Sequence, residues 1–251
     1  MTNPLRLAIA SSVLALLAGC GSDKTTAPSQ PDFFWKFDGR TNFVQVESEQ
    51  MPALGSGDFA VELWFKPDTL GVRWDVFDWK DTGSSSGSRY NDLALYMESG
   101  TLRGYSAVTA ITKNAATHVL TGTHAWHHAA VVRSGTSLVL LLDTFVSKST
   151  VPGNVSPAGP FRIGSNRADG TGSEGAALYN FPGMISDVRI YTSALDSATF
   201  AHNVRLGSVP GSLPLVRRWK LDEDTAFVAL ESVHEMDGFA MGAKIVTTSS
   251  P

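Results

Sequence analysis

Phe59-Ala60-Val61-Glu62-Leu63-Trp64-Phe65-Lys66-Pro67 sets apolar side chains at positions 59, 61, 63 and 65 against Ala60, Glu62 and Lys66. Successive side chains of a strand point to opposite faces, so this period of two reads as a half-buried β-strand. Trp64 interrupts the pattern, because it stands on the polar side. Working outward, short stretches of β character recur at 76–80, 93–97, 102–106, 127–133, 138–142, 161–164 and 183–191, cut off by Gly, Pro, Ser, Asp or Asn. Glu98-Ser99-Gly100-Thr101 and Ser134-Gly135-Thr136 read as hairpin turns, with glycine supplying the awkward dihedral. Leu138-Val139-Leu140-Leu141-Leu142 is apolar on both faces and reads as an interior strand. Only 193–204 lacks alternation, and Asp196 there can cap a short helix. Many short strands and one short helix predict an all-β fold, a β-sandwich.

The chain has 251 residues, with 20 Lys+Arg, 24 Asp+Glu and 43% hydrophobic residues. Such hydrophobic content argues against a disordered chain, and the length suits one large all-β domain. Lys and Arg are not clustered, so neither nucleic acid nor an anionic membrane surface is indicated as a partner. The one cysteine, Cys20, ends Leu17-Ala18-Gly19-Cys20. Before it, Arg6 supplies a positive start and 7–18 an apolar run of about a dozen residues, where a spanning helix needs about twenty. Residues 1–19 therefore read as an export signal peptide. The ending resembles the bacterial lipobox, which implies cleavage before Cys20 and acylation of Cys20 by several chains, enough for stable membrane anchoring. An ordinary signal peptide that ends near a cysteine is the alternative. Gly21, where an Asp would imply inner-membrane retention, implies the outer membrane of the cell envelope. On this reading 20–32 is a lipidated flexible tether, 33–246 the folded domain and 247–251 a disordered end. With Cys20 acylated no thiol remains for a disulfide, so the core alone must hold the fold.

Several segments follow one another in the order of a known family. They are Phe37-Asp38-Gly39 with Phe43-Val44-Gln45-Val46, the Phe59–Pro67 stretch, and Trp126-His127-His128-Ala129-Ala130-Val131-Val132-Arg133. Ile163-Gly164-Ser165, Gly183-Met184-Ile185-Ser186-Asp187-Val188-Arg189-Ile190-Tyr191 and Ala194-Leu195-Asp196 come next. Together, over residues 33–205, they resemble the laminin G-like, concanavalin A-like domain of bacterial surface and secreted proteins. The resemblance implies a concanavalin A-like jelly-roll β-sandwich of two antiparallel sheets with one short helix; such a fold names no function by itself. Ser186-Asp187 stands where the family often has two acidic residues, a change that removes a metal ligand. Asp143-Thr144 replaces the family's frequent Asp-Gly, and β-branched Thr disfavours positive φ. Trp219-Lys220-Leu221-Asp222-Glu223 and then 231–238 resemble the element that opens this fold, yet they follow the helix. The expectation is that 215–246 completes the sandwich as a permuted strand pair beside the sheet holding 33–46. A truncated second repeat is the alternative, and it would expose Trp219, Leu221, Phe227, Val228 and Phe239 as a large apolar patch.

Four groups of residues could carry chemistry. His118, His124, His127 and His128 look like a zinc cluster, but His127 and His128 are strand neighbours and point to opposite faces. Glu62 and Glu98 stand alone in their strands. Asp75, Asp78 and Asp81 are three apart, which puts neighbours on opposite faces of a regular strand. The same-face carboxylate pair of a retaining glycosidase is thus not evident. By the resemblance, one structural calcium ion would fall to Asp38, Asp187, Glu231 and Asp237, whose plainer role is to bond their own turns. Trp64, Trp74, Trp79, Tyr90 and Tyr96, with Tyr105 nearby, could line a sugar-stacking site, although core packing is the commoner fate of a strand aromatic. Trp74 and Trp79, five apart, cannot face one way on a regular strand. The reading is a lipid-anchored cell-envelope recognition module that binds carbohydrate or a surface glycoconjugate without catalysis. The alternatives are an adhesion or assembly module for an envelope protein, and a divergent polysaccharide hydrolase using Glu62 or Glu98.

Overall fold

The computed structural model describes residues 33–79, 92–107, 113–150, 157, 159–167, 177–203, 213–221, 228–229, 233, 238–241 and 244–247. In chain order the strands are β1 (Phe33–Asp38), β2 (Phe43–Val46), β3 (Phe59–Pro67), β4 (Trp74–Trp79), β5 (Asp92–Glu98), β6 (Thr101–Ala107), β7 (Lys113–Val119), β8 (His127–Ser134) and β9 (Ser137–Leu142). They continue with β10 (Phe145–Thr150), β11 (Phe161–Ile163), β12 (Asn166–Arg167), β13 (Ala177–Leu178), β14 (Pro182–Tyr191), β15 (Leu215–Trp219), β16 (Val228–Ala229), β17 (Gly238–Met241) and β18 (Lys244–Thr247). The helix α1 (Ser197–Asn203) lies between β14 and β15.

Two antiparallel sheets form a jelly-roll sandwich. One runs β10-β9-β8-β3-β14-β1-β18, with β15 also on β14; the other runs β16-β17-β2-β11-β4-β5-β6-β7. Val61, Phe65 and Leu140 from the first sheet meet Trp74, Phe77 and Phe161 from the second in one apolar core. Burying an aliphatic or aromatic side chain of this size contributes about 1.5–3 kcal/mol each.

The long strand β14 organises the first sheet. One of its edges takes β3, and the other takes β1 and then β15 in succession. The register against β3 shifts between Ser186 and Arg189, and Asp187 between them has φ +49°. This bulge separates the stretch paired with β1 from the stretch paired with β15.

The chain crosses between sheets after Asp38, so β1 and β2 lie in different sheets rather than in one. The C-terminal strands divide in the same way. β15 pairs with β14 and β18 with β1, whereas β17 pairs with β2. Thr247, read from sequence as part of a frayed end, is the last residue of β18 and lies opposite Phe33.

β3 differs from its expected half-buried state, because both of its faces are covered. Phe59, Val61, Leu63 and Phe65 fill the main core. Ala60 on the other face packs with Ala130, Tyr191, Leu195 and Phe200 beneath α1. The helix starts at Asp196, whose Oδ1 accepts the Thr199 N–H at 2.7 Å.

Candidate functional site

The outer face of the second sheet is defined by strand register. Asp75 on β4 lies opposite Tyr96 on β5, which lies opposite Arg103 on β6. Asp78 lies opposite Ala94, which lies opposite Tyr105. Cross-strand partners share a face. The β4–β5 register shifts between Asp75 and Phe77, a bulge whose extra residue changes the parity of the strand. Asp75 and Asp78, three apart, therefore share the outer face, and Trp74 and Trp79, five apart, both enter the core. Both parity expectations are corrected by this one bulge. Trp74, Trp79 and Trp64 are all buried, so none of them can stack on a ligand. The Nε1–H of Trp74 donates to the Thr69 carbonyl at 2.8 Å, and that of Trp79 to the Gly159 carbonyl at 3.1 Å.

Of the aromatic residues named from sequence, Tyr96 does lie on this face. Its ring is 4.8 Å from the Arg73 guanidinium, and the Tyr179 ring is 4.3 Å from the same group. Tyr105 meets Tyr96 edge-on at 5.8 Å. Tyr179 is 45% exposed and has φ +52°. Left-handed backbone costs a residue with a Cβ about 1–2 kcal/mol. Here it is held partly by the Asp75 N–H, which donates to the Tyr179 carbonyl at 2.9 Å. Arg73 approaches Asp75 and Glu98, each at 3.7 Å, and Arg103 approaches Glu98 at 3.6 Å. Burial, followed by the charge of Glu98, pushes the Tyr96 hydroxyl up, so it stays protonated and able to donate. Arg73 and Tyr179 were not legible as site residues, since they stand in connections and only the tertiary fold brings them to Tyr96.

A second polar cluster lies under α1, and it is sealed. Glu62 accepts from the Tyr191 hydroxyl at 2.8 Å, from Asn203 Nδ2 at 3.1 and 3.2 Å, and from Arg189 Nη1 at 3.4 Å. His128 Nε2 lies 2.8 Å from Glu62 Oε1. The His128 ring is sandwiched between Trp64 and Phe200, each 3.9 Å away. Burial holds His128 below its ordinary value, so the imidazole is neutral at neutral pH and donates from Nε2. Burial alone would raise Asp187, but bonds and charge from Arg218 and Arg189 outweigh it and hold the carboxyl low. Arg218 grips Asp187 with two bonds of 2.7 and 2.9 Å. Glu62 and its partners are thus a latch between sheet and helix. Closed off in this way, Glu62 has no route to a polysaccharide, which removes it from the hydrolase alternative.

Of the four calcium candidates the described residues include Asp38 and Asp187, and the fold does not bring these two together. Asp38 accepts the N–H groups of Arg40, Thr41 and Asn42, the Asx-turn role of a loop aspartate. Asp187 is held by two guanidinium groups. Asp38 lies opposite Pro182 in register, and Asp187 is five residues further along β14, about 17 Å away at strand rise. Among the described residues, no three or more His, Cys, Asp or Glu side chains are placed to hold a metal ion. His127 bonds Asp143 at 2.8 Å while His128 points the other way to Glu62. Asp143 itself takes the positive φ of its turn, +53°, so Thr144 need not. Cys20, Tyr90, Glu231 and Asp237 lie outside the described residues.

This geometry has relatives. A provisionally assigned carbohydrate binding protein from Bacteroides ovatus superposes with a TM-score of 0.66 at 18% identity, over 89% of this chain and 62% of that one. This chain therefore spans less than two thirds of that protein. A heptameric SAP-like pentraxin from Limulus polyphemus gives 0.59 at 16% identity, over 87% and 96%. Mouse laminin α1 domains LG4-5 give 0.51 at 14% identity, over 73% and 45%. At such identities the likeness is one of fold. No curated protein sequence matches the chain. A family model does match, over residues 38–200, from the end of β1 into α1. It covers more than half of the chain and includes the core strands, so this protein belongs to the concanavalin A-like lectin/glucanases superfamily as a laminin G-like domain.

Proposed function

We propose that this domain is a lectin-type recognition module. It holds carbohydrate on the outer face of the second sheet, around Arg73, Tyr96 and Tyr179, and does not transform it. The observation that carries this reading is Tyr179, an exposed ring kept in an unfavourable backbone conformation over a guanidinium that is itself stacked on Tyr96. Strain retained at a surface residue motivates a functional role, and an exposed phenol offers both an apolar ring for a sugar face and a hydroxyl for hydrogen bonding. The sealed position of Glu62 supports binding without chemistry. The carbohydrate binding assignment of the Bacteroides protein supports the ligand class by analogy of fold only.

Glycan-array screening and titration calorimetry on residues 33–251 test this. Tyr179→Ala and Arg73→Ala are each expected to weaken glycan binding at least about tenfold, or about 1.4 kcal/mol, with the melting temperature little changed. A wild-type domain that binds no glycan, or variants that bind as well as wild type, would sink the reading.

Anchoring at the cell envelope through an acylated Cys20 belongs to the same proposal, with the outer membrane favoured. Cys20→Ser is expected to move the full-length protein from the membrane fraction to the soluble fraction. Retention in the membrane fraction would count against the anchor.

A further inference from the structure

On the proposed face, charge is balanced while hydrogen-bonding capacity remains open. Arg73 and Arg103 converge on Glu98, and Arg73 also faces Asp75, at separations of 3.6–3.7 Å. Those distances give ionic attraction but exceed a hydrogen bond. The Nε atoms of Arg73 and Arg103 are buried and have no hydrogen-bond partner among the described residues, so a ligand can reach only the outer part of each side chain, about one third of which is exposed. Among the described residues Glu98 makes ion pairs but no hydrogen bond, and its side chain is 44% exposed. In the neighbouring rows of the same face Arg162 lies opposite Asp78, and Asp92 lies two residues before Ala94 on β5. Asp75, Asp78, Asp92 and Arg162 are buried, so of these charges a ligand meets those of Arg73, Arg103 and Glu98, with Asp75 behind Arg73.

A uronate, sialate, sulfate or phosphate ligand would bring its negative charge beside Glu98, onto cations already neutralised. Such like-charge approach disfavours binding. A neutral sugar meets no such penalty. Two adjacent hydroxyls can bridge the pair, one accepting from a guanidinium and the other donating to Glu98, while a pyranose face lies on the exposed Tyr179 ring. Charge-assisted hydrogen bonds of this kind are the stronger ones.

We infer that the ligand of this face is a neutral saccharide that presents adjacent free hydroxyls. The inference rests on the carbohydrate reading above and specifies its chemistry.

The test compares residues 33–251 with a Glu98→Gln variant, using neutral glycans (mannan, galactan, xylan oligosaccharides) and acidic ones (oligogalacturonate, sialyllactose, heparin fragments), at low and high salt. Wild type is expected to bind a neutral glycan with affinity nearly independent of salt, and acidic glycans at least about tenfold more weakly. Glu98→Gln keeps the size of the side chain but unmasks both arginines. It should gain at least about tenfold for acidic glycans, and that gain should fade at high salt. Tighter wild-type binding of an acidic glycan, or a variant with no gain, overturns the inference and leaves the carbohydrate reading standing. No binding of either class by either protein overturns both. Equal melting temperatures of the two proteins show that each comparison is made on a folded domain.

Discussion

Glu62→Ala is expected to destabilise the domain by about 3–5 kcal/mol, the usual consequence of removing one partner from a buried ion pair. The side chain is buried and receives hydrogen bonds from Tyr191, Asn203 and Arg189, with His128 also within bonding distance. Truncation deprives all of them at once. Arg189 keeps Asp187 at 2.5 Å, but the Tyr191 hydroxyl and the Asn203 amide lose their acceptor inside an apolar layer. Asn203 is the last residue of α1, so the loss should loosen the helix first. Glu62→Gln retains shape and one acceptor oxygen, and should cost less, about 1–3 kcal/mol. Urea unfolding followed by fluorescence measures both. A loss below about 1 kcal/mol for the alanine variant would mean that α1 is held by its apolar contacts alone. The prediction concerns breaking the cluster; a well-packed apolar replacement of the whole cluster could be neutral, since buried ion pairs are weak evidence of net stabilisation.

Gly164→Ala is the second large effect, expected at about 2–5 kcal/mol, from left-handed backbone and overpacking together. Gly164 has φ +79°, and a Cβ there would fall within 3.0 Å of two carbons of the Phe37 ring. Phe37 is fully buried and packs edge-on against Phe181, so the ring has nowhere to retreat. The Gly164 N–H donates to the Val76 carbonyl at 2.7 Å, and its carbonyl accepts from Phe181 N–H at 2.9 Å. A displaced Gly164 therefore disturbs the bulged strand β4 and the approach to Tyr179 together, and glycan binding should fall with stability. Gly55→Ala serves as the control. Its φ is +57°, yet nothing lies near the added Cβ, so it should cost only the backbone share, about 1–2 kcal/mol. Equal losses for the two variants would remove the packing argument at Gly164.

How far these sites were legible depends on what made them. The Phe59–Pro67 strand, the Ser99-Gly100 and Gly135 turns and the Asp196 cap are local, and each is found in place. β7 and β10 went unread. Both are edge strands, and β10 is largely exposed along its length, so neither needs the apolar period that reveals an interior strand. Glu62 read as a solvent-facing residue of a half-buried strand. Its burial is imposed by α1, which arrives from far along the chain and covers that face.

The bulge in β4 shows the limit most clearly. Sequence spacing set Trp74 against Trp79 and Asp75 against Asp78, because strict alternation assumes an unbroken ladder. Pairing with β5 inserts one unmatched residue, and the parity reverses. Strand positions, turns, the order of the family's motifs and hence the sandwich itself follow from local backbone preference and apolar period, which a single chain displays. Which face of each strand meets water, where a ladder slips, and the encounter of Arg73 with Tyr96 and Tyr179 depend on what packs against what. Those are properties of pairs distant in sequence, set by register and by the space left between packed layers, and so the core was readable while the proposed binding face was not.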